Sequence, residues 1–174
     1  MFEAISAFAI EHFVGIKATH ILAATLWSFS VLAPMVFYIM PAQAALANDP
    51  GNAELTRRHH WVLEQFDHVV FVEHAALFVM LGSGLLLYST GVADFSMGWF
   101  AVKMAILVGF FIPLEIYDIW ICHIKAPRMT KIKDLDPEGY AKFRDYYFRY
   151  LKGLGIPIIL TVPTTLLLAL LKPF

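Results

Sequence analysis

The chain has 174 residues, of which 59% are hydrophobic and 16% are charged, and its formal net charge is −1. Soluble domains are nearer to one-half apolar and about one-quarter charged, so this composition is typical of an integral membrane protein. The charge balance excludes a nucleic-acid-binding protein, which needs a basic surface. The single cysteine, Cys122, excludes an internal disulfide. We expect one integral membrane domain over residues 1–174, surrounded by membrane lipid.

Four segments are apolar over the roughly 20 residues that a membrane-spanning helix needs. They are predicted at about residues 14–39, 64–90, 97–123 and 153–171. Asp136 and Pro137 are typical of the N-cap and first residue of a helix, which predicts a further, amphipathic helix before the fourth span. The predicted fold class is therefore all-α: a four-transmembrane-helix bundle with a cytoplasmic amphipathic helix. That helix lies either in the headgroup region or against the ends of the bundle.

Lysine and arginine are distributed unevenly between the connections. Eight of them lie between spans three and four, two (Arg57 and Arg58) lie between spans one and two, and none lies between spans two and three. Because basic loops remain in the cytoplasm, we expect a multi-pass protein of the bacterial inner membrane with both termini on the outer side. Residues 1–13 lack the basic start of a secretory signal, so we expect the first span to be retained.

Two ionisable residues lie at matching depths on the predicted outer side. His20 and Lys103 are each about six residues into their spans, and antiparallel neighbours bring both to the same side of the membrane. Trp27 shares a face of span one with His20 and is predicted to form a wall of this site. Lys103 is then expected to pair with an anion such as a propionate, or with a quinone oxygen. The alternatives are snorkelling of Lys103 to the headgroups and a backbone hydrogen bond for His20.

A second group of ionisable residues lies in the cytoplasmic half of spans two and three. The members on span two share about one-third of the helix circumference: His60, Glu64, Asp67, His68 and His74. On span three, Glu115 and Asp118 lie near one another, with Cys122 on the same side. We expect Lys103 and His123 to point away from their arc.

Several interpretations of this second group stay open. One is haem b held by imidazoles from different helices, namely His68 or His74 with His123 or His20. Another is a carboxylate-and-histidine metal site of the kind that suits iron or manganese; its ligands would be Glu64, Asp67, His68, His74, Glu115 and Asp118. A third is a proton path through Glu73, Glu115 and Asp118. The structural alternative is that Glu64, Asp67 and His68 pair with Arg57 and Arg58.

The first span carries the pattern Lys17-x-x-His20, then Trp27 and Pro34. This pattern resembles the first helix of the HemJ-type protoporphyrinogen oxidases and the related CopD-like membrane proteins. Later features similar to that family are Gly82-x-Gly84-Leu85, Lys103, Pro157 and the terminal Lys172-Pro173-Phe174. The resemblance implies a four-helix bundle that binds haem b, with His20 as a ligand and Lys103 as a functional cation. It also implies oxidation of protoporphyrinogen IX, with electrons passing to a respiratory acceptor such as a quinone.

Two functions follow from these observations. The first is a haem-b membrane oxidoreductase in which Lys103, Glu115 and Asp118 are catalytic. Its cofactor-binding residues are His20, His68, His74, His123 and Trp27, with the four histidines as the metal ligands. The second is a CopD-like protein that handles non-haem iron or copper, or a small accessory subunit of a respiratory complex. Either function is compatible with a homo-oligomer or with a respiratory partner.

Overall fold

The computed structural model describes residues 2–172, apart from the side chain of Ile156. It contains a short helix followed by four long ones: α1 (Phe2–Glu11), α2 (Phe13–Asn48), α3 (Ala53–Ser89), α4 (Gly98–Lys131) and α5 (Pro137–Leu171). The four long helices are long and apolar enough to cross a membrane, and the described residues contain no strand. The chain is therefore an all-α membrane helical bundle, which confirms the predicted fold class. Pro173 and Phe174 of the family resemblance lie outside the described residues.

Side-chain caps fix where α3 and α5 begin. The side chain of Asn52 accepts a hydrogen bond from the backbone N–H of Glu54 at 3.0 Å. Asp136 accepts one from the N–H of Gly139 at 2.9 Å, and Pro137 follows it as the first helical residue, as predicted. The amphipathic segment is the first half of α5 and continues without a break into the fourth span.

Three wide, π-helical turns interrupt α2 and α4: Met35–Ile39, Leu107–Phe111 and Ile121–Lys125. A proline stands two residues after each of them, and these prolines are Pro41, Pro113 and Pro127. Proline has no N–H and its ring clashes with a carbonyl of the preceding turn, so the hydrogen-bond ladder widens there. The wide turns rotate the residues within and beyond them relative to a regular helix.

The interior of the bundle contains two apolar clusters separated along the helices by polar residues. The first cluster includes Phe66, Val70 and Ile121, and the second includes Leu77 and Phe111. On α3 and α4, the residues between these clusters are ionisable and buried: Glu73, His74, Glu115 and Asp118. Many large apolar side chains point outward instead, as expected for a lipid-facing surface.

Arg144 is a fully buried cation, with 0% of its surface exposed. Its Nη2 donates to Asp67 Oδ2 and to Thr130 Oγ1, both at 2.9 Å. The guanidinium carbon also lies 5.3 Å from the centre of the Tyr140 ring. This arrangement ties α5 to α3 through a charge-assisted hydrogen bond in which Arg144 is fully buried and the Asp67 side chain is 14% exposed.

The pairing of the other polar residues at this end corrects one expectation. Glu64 accepts hydrogen bonds from Tyr140 Oη at 2.6 Å and from Lys133 Nζ at 3.1 Å. Arg57 forms an ion pair with Glu54 at 2.7 Å, one turn away on its own helix. The expected pairing of Glu64 and Asp67 with Arg57 and Arg58 is therefore wrong, because closer cations arrive from the connection after α4 and from α5.

Replacing Arg144 by methionine should destabilise the bundle by about 3–5 kcal/mol, because Asp67 would be left as a buried charge without a partner. The matched control is Arg149→Met, since Arg149 pairs with Asp145 at 3.0 Å while both side chains are at least 65% exposed. That exposed pair should contribute no more than about 1 kcal/mol. The free energy of unfolding in detergent, from reversible SDS titration, measures both effects. Equal losses in the two variants would contradict the assignment of Arg144 as a buried tie.

Candidate functional site

His74 lies at the centre of a buried polar cluster between α3 and α4 and is 4% exposed. Its Nε2 lies 3.6 Å from Glu115 Oε2 and 3.5 Å from Asp118 Oδ2. Both distances exceed a normal hydrogen bond, and Nε2 has no hydrogen-bond partner within residues 2–172. Nδ1, on the other side of the ring, lies 2.8 Å from Nε2 of His123, whose side chain is exposed. His74 therefore connects two buried carboxyl groups with an imidazole at the surface.

Neutral donors hold both carboxyl groups in position. Glu115 Oε1 accepts a hydrogen bond from Trp27 Nε1 at 3.0 Å. Asp118 Oδ2 accepts one from the Cys122 thiol at 3.4 Å, and the Cys122 sulfur lies 3.1 Å from Tyr147 Oη. Glu115 Oε2, the oxygen that faces His74, has no hydrogen-bond partner among the described residues. These contacts orient the carboxyl groups without supplying positive charge.

Glu73 adds a third carboxyl group to this part of the bundle. It is 5% exposed, and its Oε2 has no hydrogen-bond partner in the described part of the chain. No lysine or arginine of that part forms an ion pair with Glu73, Glu115 or Asp118. An ionised carboxylate in apolar surroundings is costly unless positive charge compensates it. The cluster therefore favours the uptake of positive charge.

The spacing within the cluster resembles part of a metal-ligand set. Among the residues that the structure describes, no three His, Cys, Asp or Glu side chains already stand in an arrangement that would hold a metal ion. The cluster has two histidine–carboxylate pairs that share Nε2 of His74, with separations of 3.6 and 3.5 Å. Two ligands about 2.1 Å from a tetrahedral ion lie about 3.4 Å apart. Each pair is thus slightly wider than two ligands of one tetrahedral ion, so both carboxyl groups would have to move toward Nε2 to bind one.

A cavity of about 40 Å³ adjoins the cluster, and residues of all four long helices line it. One water molecule occupies at least about 10–15 Å³ of such space, so the cavity holds only a few small molecules. Pockets for larger cofactors measure about 300–1,000 Å³. A haem therefore does not fit in this cavity. His74 is also unsuited to pair with His123 across a haem, because their nitrogens are in direct contact.

The second predicted site surrounds His20, which is half-buried. His20 Nδ1 lies 3.0 Å from the carbonyl oxygen of Met80 and 3.1 Å from Ser83 Oγ. A carbonyl only accepts, so Nδ1 carries the ring proton and Nε2 keeps its lone pair. Gly84 packs against this ring, because a Cβ at Gly84 would lie 3.2 Å from His20 Cε1. Lys103 is also half-buried.

Two predicted site residues lie elsewhere in the structure than the sequence predicts. Trp27 is buried in the His74 cluster, because its indole reaches Glu115 on α4 and its ring packs edge-on against Phe111 at 4.9 Å. His68 is exposed and makes no side-chain hydrogen bond within the described chain. His68 is thus outside both sites, although it lies on the same helix as His74.

The prediction that His123 points away from the cluster is wrong. The wide turn Ile121–Lys125 holds both Cys122 and His123, and it advances each residue by less than the regular 100°. This rotation brings His123 onto His74. The sequence predicts Tyr147 only as an aromatic residue of the amphipathic helix. Its spacing of four residues from Phe143 and seven from Tyr140 indicates the buried stripe that places it beside Cys122.

Comparisons of this chain with family models, with curated proteins and with solved structures found no match. The relationship to the HemJ-type and CopD-like proteins therefore stays a prediction from the quoted residues.

Replacing Trp27 by phenylalanine should lower the free energy of unfolding by about 1–3 kcal/mol, because Glu115 loses its one hydrogen-bond donor in a buried position. Trp99→Phe is the matched control. Trp99 is also 8% exposed, yet its indole N–H makes no hydrogen bond within the described residues. It should lose less than about 1 kcal/mol, from packing and from the contact of Lys172 Nζ with its ring at 5.5 Å. Equal losses in SDS titrations of the two variants would show that the bond to Glu115 contributes nothing.

Proposed function

We propose that this chain is a membrane metalloprotein that binds one divalent iron or manganese ion inside the bundle. The ligands are His74 Nε2 and one carboxylate oxygen each from Glu115 and Asp118. The observation that carries the proposal is Nε2, which has no hydrogen-bond partner among the described residues and lies 3.5 and 3.6 Å from two carboxylate oxygens. No lysine or arginine of those residues pairs with these oxygens. A set of imidazole and carboxylate ligands suits iron or manganese. Copper(I) prefers softer ligands such as thiolates and thioethers.

Charge and the surrounding hydrogen bonds support this proposal. A divalent ion compensates two of the three buried carboxylates, which otherwise face one another in apolar surroundings. Coordination at Nε2 places the proton of His74 on Nδ1, which then donates to His123 Nε2, as metal-ligating histidines usually do toward a neighbouring acceptor. Trp27 fixes the other oxygen of Glu115 in the same manner. Glu115 and Asp118 must close on the ion to complete the site.

We also propose that the protein lies in the bacterial inner membrane with both termini on the outer side. The support is the concentration of lysine and arginine around residues 57–58 and 125–152, compared with none in residues 89–96. In this orientation His123 is the exposed end of the His74 cluster on the cytoplasmic side. The ion then exchanges with the cytoplasm.

Wild-type protein purified in detergent and loaded anaerobically with ferrous iron should retain close to one ion per chain after desalting. His74→Ala and Asp118→Asn should each lower the affinity for the ion at least about 100-fold, because a ligand changes the affinity more than the 10–100-fold of an outer-shell contact. Elemental analysis and competition with a chelator measure the two quantities. His68→Ala is the matched control, since this histidine is exposed on the same helix. Retention of iron by His74→Ala at the wild-type level would refute the site.

A second candidate function is a haem-b membrane oxidoreductase of the HemJ or CopD-like kind, passing electrons to a quinone or another respiratory acceptor. The specific observation in its favour is His20, whose Nδ1 is bonded to the Met80 carbonyl so that Nε2 is left for a ligand. Hydrogen bonding of the second nitrogen to a carbonyl is usual for metal-ligating histidines. Such a haem would lie outside the cavity beside His74, because that cavity is too small.

This candidate predicts a b-type haem signal in the reduced-minus-oxidised absorption spectrum of protein purified from membranes. The signal should disappear in His20→Ala and persist in His68→Ala. A wild-type spectrum without haem absorption, from protein expressed with added haem precursor, would exclude the candidate and leave the non-haem centre.

A further inference from the structure

The cavity beside the His74 cluster has an unusual lining. Most of its wall is apolar, including Phe111, Leu151 and Ile158, and its ionisable residues are Glu73, Glu115 and Asp118. Two further polar residues line it, Trp27 and Ser28, but their donors are already used by Glu115 Oε1 and by the carbonyl of Ala24. The cavity therefore joins an apolar wall to the cluster that we assign to the metal ion.

Glu73 is a buried polar residue on the lining of this cavity, which indicates a binding site rather than a defect of apolar packing. The residue is 95% buried, and its Oε2 lacks a hydrogen-bond partner within the described chain. It also precedes His74 directly and lines the cavity with Glu115 and Asp118. A buried polar atom without a partner usually indicates a ligand or water that completes it. Glu73 Oε2 is thus available to a molecule inside the cavity.

Size and charge together restrict what the cavity can take. Its volume of about 40 Å³ accommodates only a molecule of a few atoms. With the ion bound to Glu115 and Asp118, Glu73 leaves one carboxyl group on the lining without a compensating charge, and this group opposes the entry of anions. We propose that the cavity is the binding position of a small neutral ligand, of the size of water or a diatomic gas, beside the ion. This inference rests on the proposed metal centre and names the class of molecule that this centre receives.

Gly155 provides a means of closing the cavity. It lines the cavity from α5, and a Cβ at this position would meet no atom within 4 Å. We therefore expect a larger side chain at residue 155 to enter the cavity without a steric clash of its Cβ. Gly153 is the matched control, because it lies on the same helix, is exposed, and would also place a Cβ in open space.

The test uses wild-type protein loaded with ferrous iron under anaerobic conditions and titrated with nitric oxide, a neutral diatomic probe. The iron–nitrosyl signal in electron paramagnetic resonance reports binding, and elemental analysis reports the iron content. We expect the signal in wild type and in Gly153→Leu. Gly155→Leu should weaken nitric oxide binding by at least about 10-fold, and Gly155→Ala by a smaller factor, at unchanged iron content, because filling the space displaces the probe.

The outcomes separate the two proposals. Iron that binds stoichiometrically but gives no nitrosyl signal, or a signal unaffected by both substitutions at Gly155, overturns the cavity assignment and leaves the metal centre in place. Absence of bound iron overturns both. Gly155→Ala keeps the test decisive if the leucine variant does not fold.

A second experiment titrates cobalt-loaded wild-type protein with azide, an anionic probe. A change in the cobalt absorption bands would overturn the exclusion of anions.

Discussion

The structure depends on one electrostatic constraint: the carboxyl groups of Glu115 and Asp118 face the imidazole of His74, Glu73 is a third buried carboxyl group nearby, and no lysine or arginine of the described chain pairs with them. Apolar clusters flank these carboxyl groups on both sides along the helices. In such surroundings negative charge is far more costly than at a surface. In the function that we propose, a metal ion would relieve this cost, and the adjoining cavity would receive a small neutral ligand beside it.

The same bundle shows how a partly buried acid is stabilised when its role is structural. Asp67 precedes Glu73 on α3 by fewer than two turns, and it receives a 2.9 Å hydrogen bond from the fully buried Arg144. Tyr140, Phe143 and Tyr147 cover the guanidinium with their rings. Among the described residues, no lysine or arginine pairs with the carboxyl groups of the His74 cluster. This difference distinguishes an internal ion pair from the site that we propose takes its positive charge from a bound ion.

Much of the architecture was predictable because it depends on local chemistry. Long apolar runs specify the four spans, and Asp136 with Pro137 specifies the start of α5. The shared arc of Glu115 and Asp118 follows from regular helical spacing. The direction of His123 could not be predicted in this manner. The π-helical turn before Pro127 rotates its side chain away from the direction that a regular helix of about 3.6 residues per turn would give. The partner of Trp27 also depends on how α2 packs against α4, which periodicity does not reveal.

X-ray absorption spectroscopy of the iron-loaded protein tests the central claim most directly, since it reports the atoms bound to the ion. The predicted spectrum has a first shell of nitrogen and oxygen at about 2.0–2.2 Å with the outer-shell scattering of one imidazole. Two or more imidazoles would instead identify a histidine-rich site that includes His123. A sulfur shell at about 2.3 Å would identify Cys122 as a ligand. Either of these spectra, or that of a fully hydrated ion, would contradict the assignment of His74, Glu115 and Asp118.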